Sequence, residues 1–145
     1  MKKILVLAVV AAVALSGSTA AAQGAQPKAG DRLFDFTLPV PGDRADRNYL
    51  GLSGWGKTFK IADIQANLVL IEILSMYCPF CQKDAPIVNQ LYEAIEKDSA
   101  ARGKIKIIGI GAGNSAYETE VFRKRYSIPF PIFPDPDYDI HKKCG

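Results

Sequence analysis

The chain has 145 residues, 48% of them hydrophobic and 23% charged, with a formal net charge of +3 and three cysteines. That length holds one domain with a single core and excludes two. A charge balance this close to neutral offers no basic stripe for nucleic acid, and three cysteines are too few for a scaffold stapled by several disulfides.

Met1-Lys-Lys, the apolar run Ile4 to Leu15 and the small residues leading to Ala22-Gln23 have the three parts of a secretory signal peptide. Residues 1–22 are therefore predicted to be a leader cleaved between Ala22 and Gln23, leaving one domain over 23–145. The apolar core of about twelve residues is shorter than the roughly 20 needed to span a bilayer. Ser18 stands where a lipid-bearing cysteine would be expected, so no stable membrane insertion is predicted after signal removal. The leader points to the periplasm or to secretion, an oxidising setting for cysteines. Lys2 and Lys3 leave with it, which brings the remaining charge close to neutral.

From Ala29 to Asn67 the sequence reads as strands and turns. Phe34, Phe36 and Leu38 alternate as in a half-buried strand. Tyr49-Leu-Gly-Leu52 and Thr58-Phe-Lys-Ile61 flank the glycine-rich Ser53-Gly-Trp-Gly-Lys57, which predicts a β-hairpin. Trp55 in that loop is read as local packing rather than a partner surface.

The next stretch, Val69-Leu-Ile-Glu-Ile-Leu-Ser-Met-Tyr-Cys78-Pro-Phe-Cys81, is an apolar run ending at two cysteines before an amphipathic segment. It predicts a central strand, covered on both faces, that delivers a dithiol to a helix start. Free N–H groups and the positive end of the helix dipole favour an anion there, so Cys78 should ionise more readily than a free thiol. A thiol of pKa about 8.5 is only roughly 3% ionised at pH 7, so a modest shift multiplies the nucleophile. Two intervening residues let one helical turn bring the sulfurs together as a redox disulfide. Half of a zinc site and a plain structural pair are the alternatives, zinc lacking two further ligands in a suitable arrangement. Glu72 is then a buried carboxylate with a raised pKa, able to exchange protons with Cys81, unless it lies near the sheet edge paired with a lysine. Asp84 is either functional or an acid favoured by the helix dipole.

Beyond Pro86, Ile87, Leu91 and Ile95, with Val88 and Tyr92 beside them, recur at helical spacing to about Asp98. Lys104 to Ile110 predicts a second buried strand. Gly111-Ala-Gly113 then turns into a helix opened by Ser115 and Glu118 as a capping box, with Tyr117, Val121 and Phe122 facing inward and Arg123-Lys-Arg125 at its end. The glycines lack the third member of a dinucleotide fingerprint. Ile128 to Phe133 predicts another strand, Asp135-Pro-Asp137 a turn, and Ile140 to Cys144 a helical turn. Cys144 reads as a small apolar residue and His141 as a surface histidine.

These residues together resemble the thioredoxin-like redoxins, and among them the TlpA/ResA-type exported thiol-disulfide oxidoreductases, over roughly residues 30 to 145. Glu72, six before Cys78, matches the buried acid of thioredoxins, Asp84 the acid of ResA-like proteins, and Pro86 the helix proline. Tyr77, where many relatives carry Trp, and the central pair Pro79-Phe80 depart from the pattern. The resemblance implies an α/β thioredoxin-like fold with a central sheet and helices on both faces. It also implies a cis-proline loop, two further strands and a helix that the chain lacks, so the fold is expected to be incomplete at the C-terminus and 23–145 alone to be poorly soluble.

The activity implied is exchange of the Cys78–Cys81 dithiol with protein disulfides, acting as a reductant, with Glu72 and Asp84 in the catalytic set. Partners are protein disulfide substrates and a thiol electron donor; no cofactor and no metal is expected. Two alternatives remain on the same fold. A peroxiredoxin-like peroxidase is opposed by Ser75 and Ile71 at its threonine and proline places. A copper-binding chaperone would use Cys78, Cys81 and His141, with cysteines more closely spaced than usual for that role.

Overall fold

The computed structural model describes residues 28–54 and 56–144; the predicted leader, its cleavage site at Ala22 and Gln23, and Trp55 lie outside them. In chain order the elements are β1 (Thr37–Pro39), α1 (Arg44–Leu50), β2 (Thr58–Lys60), a 3-10 turn (Ile61–Asp63), β3 (Leu68–Leu74), α2 (Pro79–Lys97), β4 (Ile105–Ala112), α3 (Ala116–Arg125), β5 (Ile132–Asp135) and α4 (Asp139–Cys144). β1 and β2 form an antiparallel ladder, and β3, β4 and β5 a parallel sheet in that order. Parallel neighbours require a crossover, and α2 and α3 supply the two.

Strand alternation divides the core between the faces of the parallel sheet. Leu74 of β3 and Ile107 of β4 meet Ala85 and Ile95 of α2 and Phe122 of α3. On the other face Ile108 and Ile110 of β4 and Phe133 of β5 meet Leu38, Phe59, Leu50 and Ile140, from β1, β2, α1 and α4. Helices therefore cover both faces, as predicted. α3 is opened by the predicted capping box, Ser115 accepting from the Glu118 N–H and Glu118 from the Ser115 N–H.

Several sequence expectations are corrected. β3, predicted as a central strand, pairs with β4 alone among the described residues, leaving Leu68 50% and Ile73 36% exposed. The hairpin predicted between Tyr49–Leu52 and Thr58–Ile61 does not form. Asp43 accepts the Ala45 N–H as an N-cap, so Tyr49 and Leu50 belong to α1, and β2 pairs with β1 instead. Gly51 ends α1 at φ 69°, and a Cβ there would lie 2.6 Å from that of Gln65. The first strand begins at Thr37 rather than Phe34, and the last spans Ile132–Asp135 rather than Ile128–Phe133. Tyr117 is 78% exposed, and Thr119 takes the inward position beside Phe122. In α2, Ala85 and Ile95 are buried whereas Ile87 and Leu91 face outward.

Two contacts tie the layers together. The Tyr49 hydroxyl accepts the Ile107 N–H at 2.8 Å and donates to its carbonyl at 3.3 Å. It occupies β4's edge where β5, whose ladder begins at Gly109, does not reach. Asp46 of α1 holds Arg123 of α3 through two bonds of 2.6 and 2.7 Å.

Candidate active site

β3 ends at Leu74, and the Ser75 carbonyl accepts the Cys78 N–H at 3.0 Å in a tight turn that reverses the chain into α2. Pro79 starts the helix, where its missing N–H costs nothing, so Cys78 becomes the N-cap. Its sulfur does what a serine oxygen does at other helix starts, accepting the Cys81 N–H at 3.4 Å. All three cysteines are free thiols and each is half-buried.

The two cysteines of the motif are pushed in opposite directions. The Cys81 N–H, the Cys81 thiol and the Phe80 N–H hold Cys78 below the ordinary thiol range, against its desolvation and the charge of Asp84. Burial pushes Cys81 up, as do the hydrogen bond it gives Cys78 and the charges of Cys78 and Glu72; only the Ser75 backbone opposes. The opposed directions make Cys78 the more readily ionised of the two thiols.

Glu72 shares the α2-facing side of β3 with Leu70 and Leu74, and it is half-buried. Its Oε2 is buried without a hydrogen-bond partner, and none of the described ion pairs includes it, so the lysine-paired alternative is not what forms. Burial and then the charge of Asp84 push its pKa up. Asp84 is exposed, one turn beyond the dithiol, and its charge reaches both Glu72 and Cys78. The four predicted residues thus share one electrostatic neighbourhood. Cys144 sits elsewhere, on α4 against the core of the opposite face, and His141 is exposed beside Tyr138. Among the described residues no group of three or more His, Cys, Asp or Glu side chains gathers as a metal site would require.

Three polar residues that the motif does not announce hold the segment before Cys78. Asn114, fully buried, accepts the Met76 N–H through Oδ1 at 2.8 Å. Gln82 Nε2 donates to the Met76 carbonyl at 2.8 Å. The Tyr77 hydroxyl donates to Glu118 Oε1, the capping-box acid of α3. Only the glycines before Asn114 hinted at this: a Cβ at Gly111 would lie 3.2 Å from that of Asn114 and 2.5 Å from Thr119 Cγ2.

The AhpC/TSA family profile matches residues 29–145. Among curated proteins the chain is similar to the thiol-disulfide oxidoreductase ResA of Bacillus thuringiensis subsp. konkukian, 26% identical over 90 residues that cover 62% of this chain and 49% of the relative. It is also similar to ResA of Bacillus subtilis, 22% identical over 85 residues, covering 59% and 45%. The chain thus spans about half the length of the curated relatives it matches. Among solved structures it resembles a chain of Chlorobium tepidum described as a DsbE thiol:disulfide interchange protein, with TM-score 0.57, 18% identity and coverage of 80% and 68%. A secreted disulfide oxidoreductase of Mycobacterium tuberculosis follows at TM-score 0.50 and 22% identity, covering 74% and 66%. These likenesses give the fold as thioredoxin-like. With most of its length matched by the family profile, the chain belongs to the AhpC/TSA family.

Proposed function

We propose that this protein is an exported thiol-disulfide oxidoreductase of the ResA/TlpA type, reducing protein disulfides through Cys78 and Cys81. The observation that carries this reading is the placement of the two thiols, Cys78 capping α2 with its sulfur on the Cys81 N–H and Cys81 half-buried in the first turn behind it. The Cys78 thiolate attacks one sulfur of a substrate disulfide, forming a Cys78–substrate disulfide and releasing the other sulfur as a thiolate. Cys81 loses its proton and attacks Cys78 Sγ, which expels the second substrate thiolate. The substrate gains two electrons and the protein is left with a Cys78–Cys81 disulfide, which a thiol electron donor reduces back to the dithiol, itself becoming a disulfide. Glu72 is suited to accept the Cys81 proton, because its burial and the charge of Asp84 raise its basicity while its Oε2 is free.

The leader read in residues 1–22, cleaved after Ala22, supports a periplasmic or secreted location. No described helix is long and apolar enough to cross a membrane.

The test is trapping. In the Cys81→Ala variant of the full chain, incubation with insulin should accumulate a mixed disulfide on Cys78, detected by non-reducing mass spectrometry. Absence of an adduct, or an adduct on Cys144, would contradict the reading.

A further inference from the structure

We propose that Asn114 and Gln82 are positioning residues that hold the Met76 peptide from both sides and thereby keep the Cys78 sulfur on the N–H groups of α2. This deepens the proposed function and rests on it, but it concerns residues outside the dithiol motif and its two acids. Its ground is geometric. Met76 lies two residues before Cys78, inside the turn closed by the bond from the Cys78 N–H to the Ser75 carbonyl. Its N–H goes to Asn114 Oδ1 and its carbonyl to Gln82 Nε2, each at 2.8 Å. The turn is therefore fastened to the β4–α3 connection on one side and to the first turns of α2 on the other.

The burial of Asn114 argues that the bond is what this residue is for. Asn114 is 0% exposed, and its Nδ2 is a buried donor without a partner. Leaving such a donor unmade carries a desolvation penalty that an apolar side chain of the same shape would avoid. What an apolar residue could not do is accept the Met76 N–H. The connection is shaped to bring the amide in: the Asn114 N–H bonds the Gly111 carbonyl at 3.0 Å, and only a glycine at 111 leaves room for Thr119 and Asn114 together. Tyr77 adds a tether to the same place, its hydroxyl bonded to Glu118 four residues after Asn114. The contact these fastenings protect is a long one, the Cys81 N–H reaching Cys78 Sγ at 3.4 Å. A turn displaced by a few tenths of an ångström weakens it, and the thiolate loses its first donor.

The experiment reads Cys78 ionisation directly, as the rate of iodoacetamide alkylation against pH in the full-length chain carrying Cys81→Ser and Cys144→Ser, with thermal unfolding followed alongside. Because the readout is a thiol titration rather than disulfide reduction, it stands even if the protein proves not to reduce disulfides. Asn114→Leu keeps the shape and removes the acceptor; alkylation at pH 7 should fall roughly tenfold as the titration moves toward that of a free thiol. Asn114→Asp keeps an acceptor and should recover most of that rate. An Asn114→Leu protein that unfolds cooperatively and titrates like its parent would overturn the proposal, leaving Asn114 a purely structural residue. Should Asn114→Leu not fold, Gln82→Met decides: a shifted profile supports the clamp, and an unchanged one removes it.

Discussion

A sulfur at a helix N-cap is both a structural group and a reagent, and Cys78 is placed to be both. It satisfies an N–H of the first turn of α2, and the same N–H favours its charged form. The reduced protein should therefore be alkylated first at Cys78, then at Cys81 and Cys144, whose burial pushes their thiols up; earlier labelling of Cys81 in a time course read by mass spectrometry would reverse the assigned roles. Glu72 has the opposite character, a half-buried carboxylate whose pKa is raised. Its folded-state pKa lies above the unfolded value, so its contribution to stability is present at acid pH and is lost as pH rises through the folded pKa. Glu72→Gln should consequently match the native protein in melting temperature below about pH 4 and exceed it increasingly toward neutrality, while slowing release of the mixed disulfide. A constant difference in melting temperature across that range would mean that Glu72 is not desolvated. At this scale the sequence was informative where chemistry repeats a spacing: the two cysteines, Glu72 and Asp84 all fall in one neighbourhood. Asn114 was not legible, because its role depends on a partner 38 positions away in the chain.

Among the elements, the dithiol strand and its helix were readable because an apolar run ending at a proline-flanked N-cap leaves few choices. The same local logic misread α1. Tyr49-Leu50-Gly51-Leu52 looks like a strand entering a glycine loop, whereas the Asp43 cap and the left-handed Gly51 make it the last turn of a helix. That helix places Tyr49 over the open edge of β4, where its hydroxyl serves both polar groups of Ile107. Tyr49→Phe would leave those buried groups unpaired and should lower unfolding free energy by about 1–3 kcal/mol in urea titrations. Burial pushes the Tyr49 pKa up to about 12. Its contribution is thus fully present below the unfolded value near pH 10 and is lost as pH rises through about 12, an alkaline step that Tyr49→Phe should lack. The Asp46–Arg123 pair fastens α1 to α3. Asp46→Asn should cost on the order of 3 kcal/mol, because it strands a largely buried guanidinium.

For the whole molecule, the position of β3 matters most. Strand order is a property of the assembled sheet rather than of any segment, so an apolar run buried on both faces and one lying at an edge read alike. Among the described residues β3 lies at an edge, with Leu68 and Ile73 exposed on it and Ile87 and Leu91 exposed on α2. An unpaired apolar edge invites another strand. Residues 28–144 should accordingly associate as concentration rises, and Ile73→Lys should suppress that association in sedimentation measurements; equal association in both proteins would show that the edge is not responsible. Above all of this stands the claim that Cys78 and Cys81 form one two-electron redox couple. Equilibration of the full-length protein across a series of glutathione ratios, with free thiols blocked and mapped by mass spectrometry, tests it most directly. The prediction is a single two-electron transition in which Cys78 and Cys81 lose their thiols together while Cys144 keeps its own. A Cys78 that pairs with Cys144, or thiols at Cys78 and Cys81 that disappear at separate potentials, would contradict it.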